Sequence, residues 1–222
     1  MDFDRKPTVN VCAMNQNVVP ILNSHQERRK REINERINRA GVQLFQEQGY
    51  EATTIEQICE RADVARRTFY KHYLSKQHLA HALSESWMHE QTTRLVEASR
   101  KHSENTIERL RFYIHGVAKN LYTYEALERI LIKHAMQDVS FDDRAVFRWT
   151  HQSNLLKLVI TEGQERGDVT RAFDAEFLAR MVAGGINTVV ISWIYEDGYP
   201  AAQQLAELAD FIATAMHVDT RR

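Results

Sequence analysis

The chain has 222 residues, 43% of them hydrophobic and 27% charged, with 29 Lys+Arg against 30 Asp+Glu and a formal net charge of −1. That apolar content supports a real core and excludes a disordered chain, while near neutrality excludes indiscriminate coating of nucleic acid. Two cysteines, Cys12 and Cys59, are too few for a disulfide framework or a CxxC metal clip. With an acidic N-terminus and no long apolar run there, the expected location is the cytoplasm.

The charge is uneven: residues 1–80 carry 13 Lys+Arg against 10 Asp+Glu, the remainder 16 against 20. No proline stands between Pro20 and Pro200, and eight glycines give little punctuation for strands and hairpins, which predicts an all-α fold. Residues 1–23 show no clear period and read as a flexible extension, with Arg5 and Lys6 as a minor-groove arm in the alternative. Ser24 to Glu27 has the form of a capping box, and Ile33, Ile37, Ala40, Leu44 and Phe45 make the apolar stripe of a first helix ending at Gly49. The basic run Arg28, Arg29, Lys30, Arg31 before that stripe suits either a DNA backbone or a solvated helix start.

Thr53 to Lys76 reads as two short helices around a tight turn. Ile55, Ile58, Cys59 and Ala62 have helical spacing, with Thr53 or Thr54 as the cap and Glu56 or Gln57 at the capping-box offset. Arg61 to Val64 makes the turn. In the next helix Val64, Ala65, Phe69 and Tyr73 are expected to face back, leaving Arg66, Arg67, Tyr70 and Lys71 outside. From Val64 to Ser84 there is no acidic residue. A helix with such a face fits the major groove of DNA, where arginine can take guanine O6 and N7 or clamp a phosphate and hydroxyls bond phosphate oxygens. The expected DNA contacts are Thr54, Arg66, Arg67, Thr68, Tyr70, Lys71, His72 and Lys76.

With these elements in order and spacing, the run from Leu44 to Leu79 resembles the DNA-binding domain of the TetR family of transcriptional regulators. The likeness rests on Leu44-Phe45, Gly49-Tyr50, Thr53-Thr54-Ile55, Thr68-Phe69-Tyr70 and Ser75-Lys76, and covers about residues 30–83. Asp63 stands where the family usually has a turn glycine, Ala65 where a capping serine or threonine is common, and Arg67 where the residue is usually small. The resemblance implies an N-terminal helix-turn-helix followed by a larger helical ligand-binding and dimerisation domain. It also implies a homodimer on a pseudo-palindromic operator, with reading heads about 34–36 Å apart or a multiple of that, and release by a small-molecule effector.

Ser75 is placed to cap a long helix toward Arg100, with Leu79, Leu83, Trp87, Leu95 and Val96 inward. Its polar side carries His78, His81, Glu85 and His89, a row that offers a metal-sensing regulator as the alternative to an organic effector. Further helices are expected over 106–120, 125–137, 141–166 and 174–195. Trp87, Met88, Tyr113, His134, Phe147, Trp149, Met181 and Asn187 are candidate ligand contacts, though ordinary helical cores share that composition.

The stripe from Phe177 to Tyr195 is wide and apolar, but Arg180 and Asn187 interrupt it, so a helix serving core and partner subunit is preferred to a membrane span. Gly184 and Gly185 are expected to permit close approach, and Pro200 to start a final helix. Val182, Ile186, Val189, Trp193, Leu205, Leu208 and Ile212 are the expected dimer interface. The predicted division is 1–23 extension, 24–75 helix-turn-helix and 76–222 second domain. No nucleophile elbow, phosphate loop or HExxH is found, so an enzyme is not expected, nor a cofactor beyond the effector. A DNA-binding accessory factor without a ligand is the remaining rival.

Overall fold

The computed structural model describes residues 25–124, 129–133 and 143–218, with the backbone alone at Gln26 and 143–150. Among the described residues every regular element is a helix: α1 His25–Gln48, α2 Ile55–Arg61, α3 Arg66–His72, α4 Lys76–His102 and α5 Thr106–Thr123. These are followed by α6 at 129–133, α7 Asp143–Arg166, α8 Ala175–Tyr195 and α9 Ala201–Met216. The extension 1–23, Ser24 of the expected capping box, and His134 lie outside the described residues.

The contacts divide the chain into two compact units, and the division falls inside α4, after Met88. The first unit holds α1 to α3, the start of α4, and α6. Ile37, Leu44 and Phe45 of α1 meet Ile58 of α2, Phe69 of α3, Leu79 and Leu83 of α4 and Leu131 of α6 in one core. α1 stops at Gly49, whose φ of 84° is a conformation that side chains with a Cβ avoid.

The α2 start is the one the spacing predicts, resolved in favour of Thr54: its side chain accepts from Gln57 N while the Gln57 side chain takes Thr54 N at 2.9 Å. Thr53 instead turns inward and donates to Gly49 O at 2.8 Å. At the turn, Asp63 has φ 50°. An L-residue there is strained, and aspartate is among the few that tolerate it. Arg36 of α1 supports the bend from outside, donating to Asp63 O at 2.9 Å. α3 then begins after its N-cap Ala65, which offers no side-chain hydrogen bond to the helix end.

In the second unit α5 packs on α9 and α7 on α8. Asp174 caps α8 by accepting from Phe177 N at 2.9 Å. Arg109, only 6% exposed, donates to Ser103 O at 2.6 Å and to Glu162 at 3.2 Å, and Arg100 bonds the same Glu162. Gly185 lies where a Cβ would meet Leu208 at 2.7 Å, so the close approach that glycine allows is between α8 and α9 of one chain, while Gly184 faces open space.

Ala65→Ser should raise the unfolding free energy by about 1 kcal/mol, the usual worth of an N-cap hydroxyl. Asp63→Val should lower it by about 1–2 kcal/mol, since a β-branched residue suffers most at positive φ. Urea denaturation followed by circular dichroism measures both.

Candidate nucleic-acid interface and the second helical unit

α3 has only seven residues, too short to persist alone, so its position comes from docking. Phe69 is wholly buried and Tyr73 is 4% exposed. The Tyr73 hydroxyl donates to Asn38 Oδ1 at 2.6 Å, and His72 Nδ1 lies 3.1 Å from Asn34 Oδ1, so two asparagines one turn apart on α1 hold the end of α3. Burial pushes the Tyr73 phenol up to about 12, against the lowering effect of Asn34 and Asn38, and it remains a donor. Neither asparagine was anticipated from the sequence; their i, i+4 spacing beside Ile33 and Ile37 is the signal that was there to find.

The opposite face of α3 is open. Arg66, Arg67, Tyr70 and Lys71 are exposed and Thr68 partly so. Arg66 bonds the Tyr70 hydroxyl and pairs with Glu56 at 2.8 Å, an exposed pair that costs little to open. Arg67 and Lys71 have no ion-pair partner among the described residues. Ala65, expected to face inward, is exposed.

Lys76 sits differently from the expectation. Its Nζ donates to Tyr50 O at 2.6 Å, Thr53 O at 2.8 Å and Glu51 O at 3.3 Å, and lies 4.3 Å from the Tyr50 ring centre. All three ammonium donors are thus committed to the α1–α2 connection, where they gather carbonyls that no helix satisfies. Spacing alone cannot distinguish this clamp from a phosphate contact.

The histidine row does not converge. His78 Nδ1 accepts from Leu74 N at 3.1 Å at the start of α4, His81 is buried beside Glu85, and the His89 ring stacks on His151 of α7 at 3.5 Å. Among the described residues no group of three or more His, Cys, Asp or Glu is arranged to hold a metal.

The candidate ligand contacts are divided as well. Trp87 is wholly buried in the first unit, its ring 5.0 Å from that of Tyr124, and Met88 closes the same unit. In the second unit Gln152, which sequence reasoning missed, donates to the Tyr113 hydroxyl at 3.0 Å and accepts from Asn187 at 3.3 Å, a polar chain crossing the core from α5 through α7 to α8. Thr93 Oγ1, Asn120 Nδ2 and His151 Nε2 are buried there without a hydrogen-bond partner. Burial, then the charge of His89, lowers His151 to about 4. Met181, expected to line a pocket, is 49% exposed. The side chains of Phe147 and Trp149 fall outside the described set.

The expected dimer residues differ in their exposure in the single chain. Val182, Ile186, Val189, Leu205 and Ile212 are buried within the single chain, Trp193 and Leu208 partly so, because α8 and α9 pack these rows on α5, α7 and each other. A second α8 row stays uncovered: Phe177, Met181, Gly184, Thr188, Ile191 and Tyr195, advancing by alternate steps of four and three, with Phe177, Met181, Ile191 and Tyr195 exposed by 44, 49, 37 and 54%. Phe211 of α9 is 64% exposed. α8 is long and apolar enough to cross a membrane, yet much of it is buried in the protein.

A short helix docked by aromatic side chains behind a capped helix and a strained turn, joined to a larger helical unit, defines the helix-turn-helix regulator class. The family model for bacterial regulatory proteins of the tetR family matches residues 37–83, and that for the C-terminal region of YsiA-like proteins matches 90–215. The chain belongs to the TetR family. It is 43% identical over 54 residues to the HTH-type transcriptional regulator TcmR of Streptomyces glaucescens, a match spanning 24% of this chain and 24% of that protein's length. It is 22% identical over 163 residues to the fatty acid metabolism regulator protein of Bacillus subtilis (strain 168), covering 71% of this chain and 81% of the relative. The crystal structure of Thermus thermophilus FadR, a TetR-family repressor in complex with lauroyl-CoA, superposes with a TM-score of 0.68 at 23% identity, over 83% of this chain and 95% of that one.

Lys76→Ala should lower stability by about 2 kcal/mol, as expected for hydrogen bonds to a charged donor, whereas Lys71→Ala should leave the urea midpoint unchanged. An unfolded histidine titrates near 6.5. With the folded value of His151 near 4, the unfolded state binds more protons between those limits, so stability falls as pH drops through that window. His151→Gln should flatten that decline in thermal melts taken from pH 7 to 4.

Proposed function

We propose that this chain is a transcriptional repressor, not an enzyme, that binds a pseudo-palindromic DNA operator in the cytoplasm as a homodimer and is released by a fatty acyl-CoA. The observation that carries the DNA reading is the division of α3 into a docked aromatic face and a solvent face bearing Arg66, Arg67, Tyr70 and Lys71. In a major groove, Arg67 reads base edges while Arg66, Tyr70 and Lys71 hold phosphates. Lys76 acts indirectly by holding the α1–α2 connection, and Thr54 by capping α2.

The dimer reading rests on the uncovered α8 row. Apolar side chains at alternate spacings of four and three form a seam that a second α8 can match about a two-fold axis, with Gly184 allowing close approach and Phe211 at its flank. The acyl-CoA reading is supported by the fatty acid metabolism relative and by the lauroyl-CoA complex, both similar to this chain over most of its length. Within the second unit the buried polar atoms of Thr93, Asn120 and His151 that lack a hydrogen-bond partner offer polar points to a thioester or amide. An effector that prefers one conformer removes the repressor from DNA only to the extent of that preference.

Selection of random-sequence duplexes with the intact chain should enrich a sequence with two-fold symmetry; recovery of unenriched DNA would refute the operator reading. On the enriched duplex Arg67→Ala should weaken binding about tenfold or more, as loss of a base-reading arginine does, and Tyr70→Phe less. Lauroyl-CoA should raise the apparent Kd, and CoA alone should not; equal effects of the two would remove the acyl chain from the mechanism. In light scattering Ile191→Asp or Met181→Asp should give a folded monomer, whereas Val189→Asp should unfold the second unit.

A further inference from the structure

Helix α1 is longer than its packing requires. The helix-turn-helix match begins at Ile37, yet α1 begins at His25. From 25 to 32 every residue whose side chain is described is exposed, and the first to touch the core is Ile33. Two helical turns with no described core residue beneath them gain no packing energy from that core, and a helix end of that kind persists through its surroundings. Within these turns Arg28 pairs with Glu32 at 3.3 Å, while Arg29 and Lys30 have no ion-pair partner among the described residues.

The register decides where those charges sit. Lys30 is one turn before Asn34 on the same face of α1, and Asn34 bonds His72 at the end of α3. Lys71 directly precedes His72, and burial, then Lys30, then Lys71 disfavours the protonated form of that ring. Arg29 is one turn before Ile33. Lys30, Lys71 and Arg67 thereby form an exposed basic strip running from α3 onto the first turns of α1.

We propose that Arg29 and Lys30 make the first turns of α1 a second DNA-contacting element, gripping backbone phosphates beside the groove that α3 enters. The proposal rests on the duplex-binding reading above and extends its footprint. The occupant is a phosphate backbone because Lys30, Lys71 and Arg67 present cationic groups and the strip is continuous with the face that meets duplex. These contacts position the protein and carry no sequence information.

The test is fluorescence anisotropy of the full-length chain on the enriched duplex and on a shuffled one, at KCl concentrations from about 50 to 200 mM. Arg29→Ala and Lys30→Ala should each reduce the slope of log K against log salt by about 0.9, one phosphate contact apiece, on both duplexes. The preference for the enriched duplex should be unchanged, and Lys30→Arg should restore the slope. Unchanged slopes in both alanine variants overturn the proposal. So does an equal loss in Arg39→Ala, because Arg39 is an exposed arginine of α1 in the cleft with Arg61 and Asp63, and such a loss would reflect net charge alone. Absence of any preference between the duplexes would defeat the operator reading, while the slopes on the shuffled duplex would still decide this one.

Discussion

The seating of Phe69 and Tyr73 against α1 and α4 is the constraint on which the rest of the helix-turn-helix depends. α3 is seven residues long and carries Arg66, Arg67 and Lys71 close together, so neither helix propensity nor charge favours it in isolation. Burial of one full aromatic side chain is worth roughly 1.5–3 kcal/mol, and the hydrogen bond from Tyr73 to Asn38 sets the rotation about the helix axis. That rotation decides which side chains reach solvent. The basic face is therefore a consequence of the apolar one.

The same logic governs the connections on either side of α2. Lys76 draws together the carbonyls of Tyr50, Glu51 and Thr53, Arg36 holds the carbonyl of Asp63, and Gln57 closes the cap on Thr54. Each satisfies a backbone group that no helix can pair, and unpaired backbone is costly wherever water is excluded. A rigid head follows from three polar side chains used on the backbone rather than on each other. Rigidity matters to binding because a head that is already ordered loses less entropy when it meets a ligand.

In the second unit, α8 shows how one helix serves two surfaces. Val182, Ile186 and Val189 enter the core, while Phe177, Met181, Ile191 and Tyr195 stay in water. Leaving that much apolar surface open is costly for a lone chain, and Gly185 brings α9 in against the first face so that only the second remains available. The buried chain from Tyr113 through Gln152 to Asn187 crosses the same core. Its members satisfy one another, whereas Thr93, Asn120 and His151 of the same unit are left with unused polar atoms.

Local order was readable in the residues themselves. Helix periodicity, the cap at Thr54, the stop at Gly49 and the turn at Asp63 depend on neighbours within about four positions, and those interactions act wherever the chain goes. The exposed face of α3 was readable for the same reason, as Phe69 and Tyr73 sit one turn apart. What tertiary packing alone decided was the use of groups with two possible partners. Lys76 had the chemistry of a phosphate ligand and became a carbonyl clamp; the histidines of α4 shared a spacing but separated into a cap, a buried pair and a ring stack. On α8 both rows were apolar, and nothing in the row itself says which one α7 and α9 will cover. Such choices turn on segments distant in sequence meeting in space, and that information exists only once the chain has folded.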